Sequence, residues 1–149
     1  MTKTFEIAPA SSTPYIFLAA IGLILVLLLA LFVFTGYSMK NGKFEVTDQG
    51  LAIKTGAYGR FIPKDIIVRE NVRTLNFNNF GEYKPRWRTN GIGLPGYSEG
   101  WFRLNNKEKA LLFVTDSSKV VYIPTTRGYS IMLSPQNPEQ LAYALKEWK

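Results

Sequence analysis

The chain has 149 residues, a formal net charge of +7, no cysteine and no histidine. Disulfides, thiol nucleophiles and zinc-thiolate sites are thereby excluded, and the missing imidazole removes the commonest general base near neutral pH and the commonest metal ligand. An enzyme would have to work with Asp, Glu, Lys, Tyr or Ser alone, so the sequence gives no catalytic residue, no metal site and no cofactor.

Residues 1–14, with Pro9, Ala10, Ser11, Ser12, Thr13 and Pro14, have too little apolar area to repay ordering and read as a disordered tail. Residues 15–37 read as a transmembrane helix. From Tyr15 to Phe34 the chain carries no charge and no proline over about twenty residues, enough to cross the hydrocarbon core of a bilayer. Tyr15 and Tyr37 fall near the two headgroup levels, where aromatic rings with a polar tip are favoured. A cleaved leader and a buried helix of a soluble protein are the alternatives. The first fits poorly because Lys3 is countered by Glu6 and the exit reads Thr35, Gly36, Tyr37, Ser38. Lys40, Lys43 and Lys54 follow the span whereas only Lys3 precedes it, which places the carboxy-terminal part in the cytoplasm, the opposite topology remaining open.

After a linker at residues 38–42, residues 43–149 have the length of one domain with its own core. Short apolar runs alternate with Gly, Asn and Pro, the mark of many strands. Phe44 to Val46 and Leu51 to Lys54 flank the Asp48-Gln49-Gly50 turn, with Leu51 and Ile53 on one face. Further strands are expected at Tyr58 to Ile62, within Ile67 to Phe77, and at Gly100 to Leu104, Ala110 to Thr115, Val120 to Ile123 and Tyr129 to Leu133. Phe102 and Leu104 should face inward and Arg103 outward. Asn137 then serves as an N-cap with Pro138 first in the helix and Gln140 three residues after the cap. Leu141, Ala144, Leu145 and Trp148 form one apolar stripe, leaving Lys146, Glu147 and Lys149 wet.

Three groups of residues carry a family resemblance: Gly59-Arg60-Phe61-Ile62-Pro63 with Asp65-Ile66, Arg88-Thr89-Asn90-Gly91-Ile92-Gly93 with Gly96-Tyr97, and Gly100-Trp101-Phe102-Arg103-Leu104. With the strand-rich order and terminal helix, the stretch from about Lys43 to Trp148 resembles the membrane-anchored bacterial PH-like (pleckstrin-homology-like) proteins. The resemblance implies a mostly β fold: a split barrel of about seven strands closed by the C-terminal α-helix, beside a span in the bacterial cell membrane. It implies no catalytic residue and no settled function.

The candidate binding site is the glycine-rich loop 84–101. Arg86 and Arg88 offer forked donors to a phosphate or carboxylate, and Trp87, Tyr97 and Trp101 offer an apolar wall. A structural role for the same glycines and indoles is the competing reading. Ser98 in Gly96-x-Ser98-x-Gly100 imitates a nucleophile elbow, but a strand follows and there is no histidine base. Nucleic acid is set aside, since no nucleic-acid motif is present and the bilayer is the nearer polyanion. The reading is a single-pass, non-catalytic, membrane-tethered module that recognises a protein partner or forms a homo-oligomer. An anionic lipid headgroup or small anionic ligand at loop 84–101 is the alternative.

Overall fold

The computed structural model describes residues 3–9 and 11–148. The expectations for Met1, Thr2, Ala10 and the wet Lys149 lie outside the described residues. The chain divides into two units, residues 1–37 and 38–149.

In the first unit the apolar run builds helix α1, Ser12–Asn41, which extends a short way into the second unit. Of this helix, Ser12–Tyr37 is long and apolar enough to cross a membrane, with a mean hydropathy of 3.3. It takes in Ser12, Thr13 and Pro14 of the expected tail, because proline in the first turn forfeits a hydrogen bond that has no intrahelical partner anyway. It also runs through most of the expected linker. Near its far end the Thr35 hydroxyl donates to the Leu31 carbonyl at 2.9 Å, hiding a polar group against the helix's own backbone.

The second unit is mostly strand, as expected, with nine strands and a terminal helix among the described residues. β1 (Lys43–Thr47), β2 (Gly50–Lys54) and β3 (Arg60–Pro63) form an antiparallel three-stranded sheet. β4 (Arg73–Leu75), β5 (Pro85–Leu94), β6 (Tyr97–Leu104), β7 (Lys109–Val114), β8 (Val120–Pro124) and β9 (Ser130–Leu133) form a second sheet in the order β4-β8-β9-β7-β6-β5. Only β7 and β9 run parallel. The two sheets are not closed into a continuous barrel, an arrangement compatible with a split barrel. The strands exceed seven because the expected loop 84–101 is itself a β-hairpin, β5 and β6 joined at Pro95-Gly96. Its glycines suggested a loop, whereas Gly91 and Gly100 pair across the strands so closely that a Cβ on Gly100 would lie 2.6 Å from the Asn90 carbonyl.

One face of the large sheet presents Leu111, Phe113, Val121, Ile123, Ile131 and Leu133 to Leu51, Ile53 and Ile62 of the small sheet and to the final helix α2, Pro138–Lys146. The cap is as read: the Asn137 side chain accepts from the Gln140 amide at 3.2 Å, with Pro138 first in the helix. Of the expected stripe Leu141, Leu145 and Trp148 are buried and Ala144 is only half-buried, Ala142 is buried instead, and Lys146 and Glu147 are exposed. The Trp148 indole donates to the Thr47 carbonyl at 2.8 Å, fastening the chain end to β1.

The opposite face of the large sheet is also buried. Phe102, Leu104, Leu112, Val114 and Met132 lie there beneath Phe77 and Tyr83, which belong to the β4–β5 connection. Phe102 and Leu104 point into this second core and Arg103 is exposed, as the alternation requires.

Residues 42–149 hold both cores and should fold without α1. In that fragment Leu145→Ala is expected to cost about 2–4 kcal/mol, since a fully buried side chain leaves a cavity. Lys146→Ala should cost less than about 0.5 kcal/mol. Urea unfolding followed by circular dichroism checks both, and equal small effects would mean that α2 does not dock.

Candidate functional site

The structure disperses the five sequence-predicted residues. Arg86, Trp87 and Arg88 are exposed on β5, the Arg86 guanidinium 5.0 Å from the centre of the Trp87 ring. Register shifts between Pro85 and Trp87 and between Arg88 and Asn90 mark bulges at Arg86 and Thr89. Trp87 pairs with Arg103 and Arg88 with Phe102, so these two β5 neighbours fall on opposite faces of the sheet. By the same alternation Trp87 shares a face with Arg103, Trp101 and Tyr97, but the three rings are spread along the hairpin: Trp87 is exposed near its start, Trp101 is half-buried and Tyr97 is buried beside the turn.

Tyr97 is 7% exposed and faces inward, its phenol donating to the carboxylate of Glu99. Glu99 is itself 1% exposed and also accepts from the Tyr58 amide at 3.3 Å. A buried carboxylate needs such donors, because desolvation without hydrogen bonds costs several kcal/mol, on the order of 2–7 for a polar group. Gly56, at φ +50°, lies directly against it: a Cβ there would fall 1.8 Å from a Glu99 carboxylate oxygen. Burial, followed by the Glu99 contact, pushes the Tyr97 phenol above its ordinary value of 10.0. Tyr122 is raised in the same way by burial and by donating to Glu108 at 2.9 Å.

Trp101 is half-buried at the centre of a cation-aromatic cluster. The Arg60 guanidinium lies 5.2 Å and the Lys109 ammonium 4.4 Å from its ring centre, and Tyr129 meets it edge-on at 5.1 Å. Arg103 pairs with Lys109 on the neighbouring strand, adding a third cation on the Trp101 face. Each cation–ring contact contributes about 0.5–1 kcal/mol at such exposure and also holds the charge in place. Arg60, Lys109 and Tyr129 were not foreseen, since they come from β3, β7 and the turn before β9 and carry no local signal. Glu99 was not foreseen either: alternation along β6 groups it with Tyr97, Trp101 and Arg103, opposite Phe102 and Leu104, and only the packing of both faces of the large sheet buries it.

Tyr58 ties the pieces together. Its amide is held by Glu99, its hydroxyl donates to Asn90 Oδ1 at 2.7 Å, and its carbonyl accepts from Arg60 Nε at 3.3 Å. A cavity of about 70 Å³ lined by Gly42, Phe44, Thr55, Tyr97, Phe113, Thr115 and Ser134 lies near the other end of β7 and β9. Ser98 sits inside β6 in register with Val114, so no nucleophile elbow forms. Among the described residues no three His, Cys, Asp or Glu side chains converge as a metal site.

The family model for the bacterial PH domain matches residues 42–148. The chain belongs to the bacterial PH domain family. Its boundaries coincide with the two-sheet unit and α2, and no curated protein and no solved structure matches the chain. Membership of the family suggests a binding or scaffold module, PH-like domains being generally non-catalytic. The apolar helix before it is consistent with a membrane anchor.

Gly56→Ala should destabilise the domain by more than Gly128→Ala. Both glycines have positive φ, at +50° and +75°, so each substitution carries a backbone penalty of about 1–3 kcal/mol, but only at Gly56 does the new methyl collide with Glu99. Equal losses in chemical denaturation would show that the carboxylate yields freely. A second expectation concerns alkali. The folded state favours the protonated phenols of Tyr97 and Tyr122, so their contribution is complete below pH 10 and is lost as pH rises through the raised folded values. Tyr97→Phe/Tyr122→Phe should flatten the decline in stability above pH 10, as measured by urea unfolding at successive pH values.

Proposed function

We propose that this protein is a single-pass, membrane-tethered PH module of the bacterial cell membrane, with its domain in the cytoplasm, that binds a protein partner or further copies of itself. The observation that carries the reading is β5: ten residues long, at the edge of the large sheet and exposed over Arg86, Trp87 and Arg88. An edge strand of that length offers a row of backbone donors and acceptors suited to protein recognition. The dispersal of the five predicted residues supports a surface of this kind over a pocket. Cytoplasmic placement is supported by the lysines that follow the span.

The anionic headgroup reading retains one specific support. Arg60 and Lys109 lie over Trp101, Arg103 stands opposite Lys109 in the register, and cations near an anionic leaflet contribute about 1 kcal/mol each. That surface would take a phosphate without any help from the β5 edge.

With p-benzoylphenylalanine in place of Trp87, irradiation of intact cells should yield a protein adduct of discrete mass. Adducts to lipid alone would favour the headgroup reading. For topology, Ser117→Cys introduces the only thiol, at an exposed position. A membrane-impermeant maleimide should modify it only after lysis, and labelling of intact cells would put the domain outside.

A further inference from the structure

We infer that β5 is the docking edge for an extended, acidic segment of a partner protein, which adds as a further strand along residues 90–94 and sets its carboxylates against Arg86 and Arg88. The inference rests on the partner-binding reading above and names the chemistry of the partner.

The other sheet edges are short: β1 has five residues, β3 four and β4 three. Short edges protect themselves against pairing, whereas β5 has ten residues. Its pairing with β6 is regular from Asn90 to Leu94, and among the described residues no other strand pairs with it. Two of those five residues are Gly91 and Gly93, which lets a second backbone approach without meeting side chains. Packing accounts for Gly91, but a Cβ on Gly93 would make only ordinary contact with the Phe102 ring, at 3.5 Å. Openness of the edge supplies a reason for Gly93 that the interior does not.

Charge selects the occupant. Arg86 and Arg88 stand on the bulged half of β5 and Arg103 beside it on β6, while the one carboxylate in the hairpin, Glu99, is buried. A second copy would bring the same two arginines and another +7 of formal charge onto one ribbon, with no exposed β5 or β6 carboxylate to offset them. An acidic strand gains at the two β5 arginines and supplies the missing hydrogen bonds. Cross-strand pairs of opposite charge stabilise a sheet, and like charges directly opposed destabilise it.

The full chain in phosphatidylcholine nanodiscs can be titrated into a fluorescein-labelled decapeptide of alternating glutamate and valine, read by anisotropy. Binding is expected, with Arg86→Glu/Arg88→Glu weakening it by about tenfold or more. Binding should also vanish when alternate amides of the same peptide are N-methylated, which keeps every charge but removes the ladder. Undiminished binding of the methylated peptide would overturn strand addition, and indifference to the charge reversal would overturn the acidic preference. A dimer of the full chain that the charge reversal strengthens and the peptide cannot displace would make the occupant a second copy. Loss of binding to phosphatidylglycerol vesicles on charge reversal, with no peptide binding by the native chain, would make it a lipid. If no peptide binds while the adduct from position 87 persists in cells, the acidic-strand inference fails and the partner-binding reading stands. Absence of that adduct removes the latter.

Discussion

The fold depends on the route of the chain between β4 and β5. These consecutive strands lie at opposite edges of the six-stranded sheet, so the residues between them must traverse its outer face. The crossing carries Phe77 and Tyr83 onto Leu112, Met132 and Tyr122, turning a face that would otherwise meet water into a second core. It is pinned at both ends. The Phe77 amide donates to the Ser117 carbonyl at 2.9 Å, and the Asn105 amide donates to the Lys84 carbonyl at 3.0 Å. A sheet buried on both faces needs apolar residues at successive positions, and β7, with Ala110 to Val114 all buried, has them.

The same crossing determines what is left open. By delivering β5 to the far edge, beyond β6, it gives the domain one long edge and three short ones. Long free edges invite uncontrolled pairing, and β5 shows recognised defences, two bulges and two arginines, confined to its first half. The second half has a regular register and two glycines and lacks those defences. An edge guarded on one side and open on the other favours a strand of chosen charge over indiscriminate association.

Much of this architecture was legible because it follows from local rules. The 20-residue apolar run fixes a helix by length, the 2-residue alternation of Leu51 with Ile53 and of Phe102 with Leu104 fixes faces, and Asn137-Pro138 fixes the start of α2. The hairpin strand β5 was missed because Gly91, Gly93 and Pro85 are punctuation in most contexts, and their tolerance here comes from cross-strand partners on β6: Gly100 opposite Gly91, Ser98 opposite Gly93 and Leu104 opposite Pro85. Within the candidate site, Trp101 was found for its residue type while its cationic neighbours were not. Arg60 and Lys109 reach it from strands of two different sheets, a coincidence that only the tertiary fold creates.

Glu99 explains how those cations are held in place across the two sheets. A carboxylate inside a domain is costly unless its hydrogen bonds are made, so its presence constrains whatever supplies the donors. Those donors are the Tyr97 phenol from its own strand and the Tyr58 amide from the connection between β2 and β3. Once the Tyr58 amide is fixed, its hydroxyl reaches Asn90 on β5 and its carbonyl accepts from Arg60, which sets the guanidinium over Trp101. The buried charge thus acts at a distance from the surface it organises: it anchors one backbone turn, and that turn aligns the β5 edge with the cations beside it.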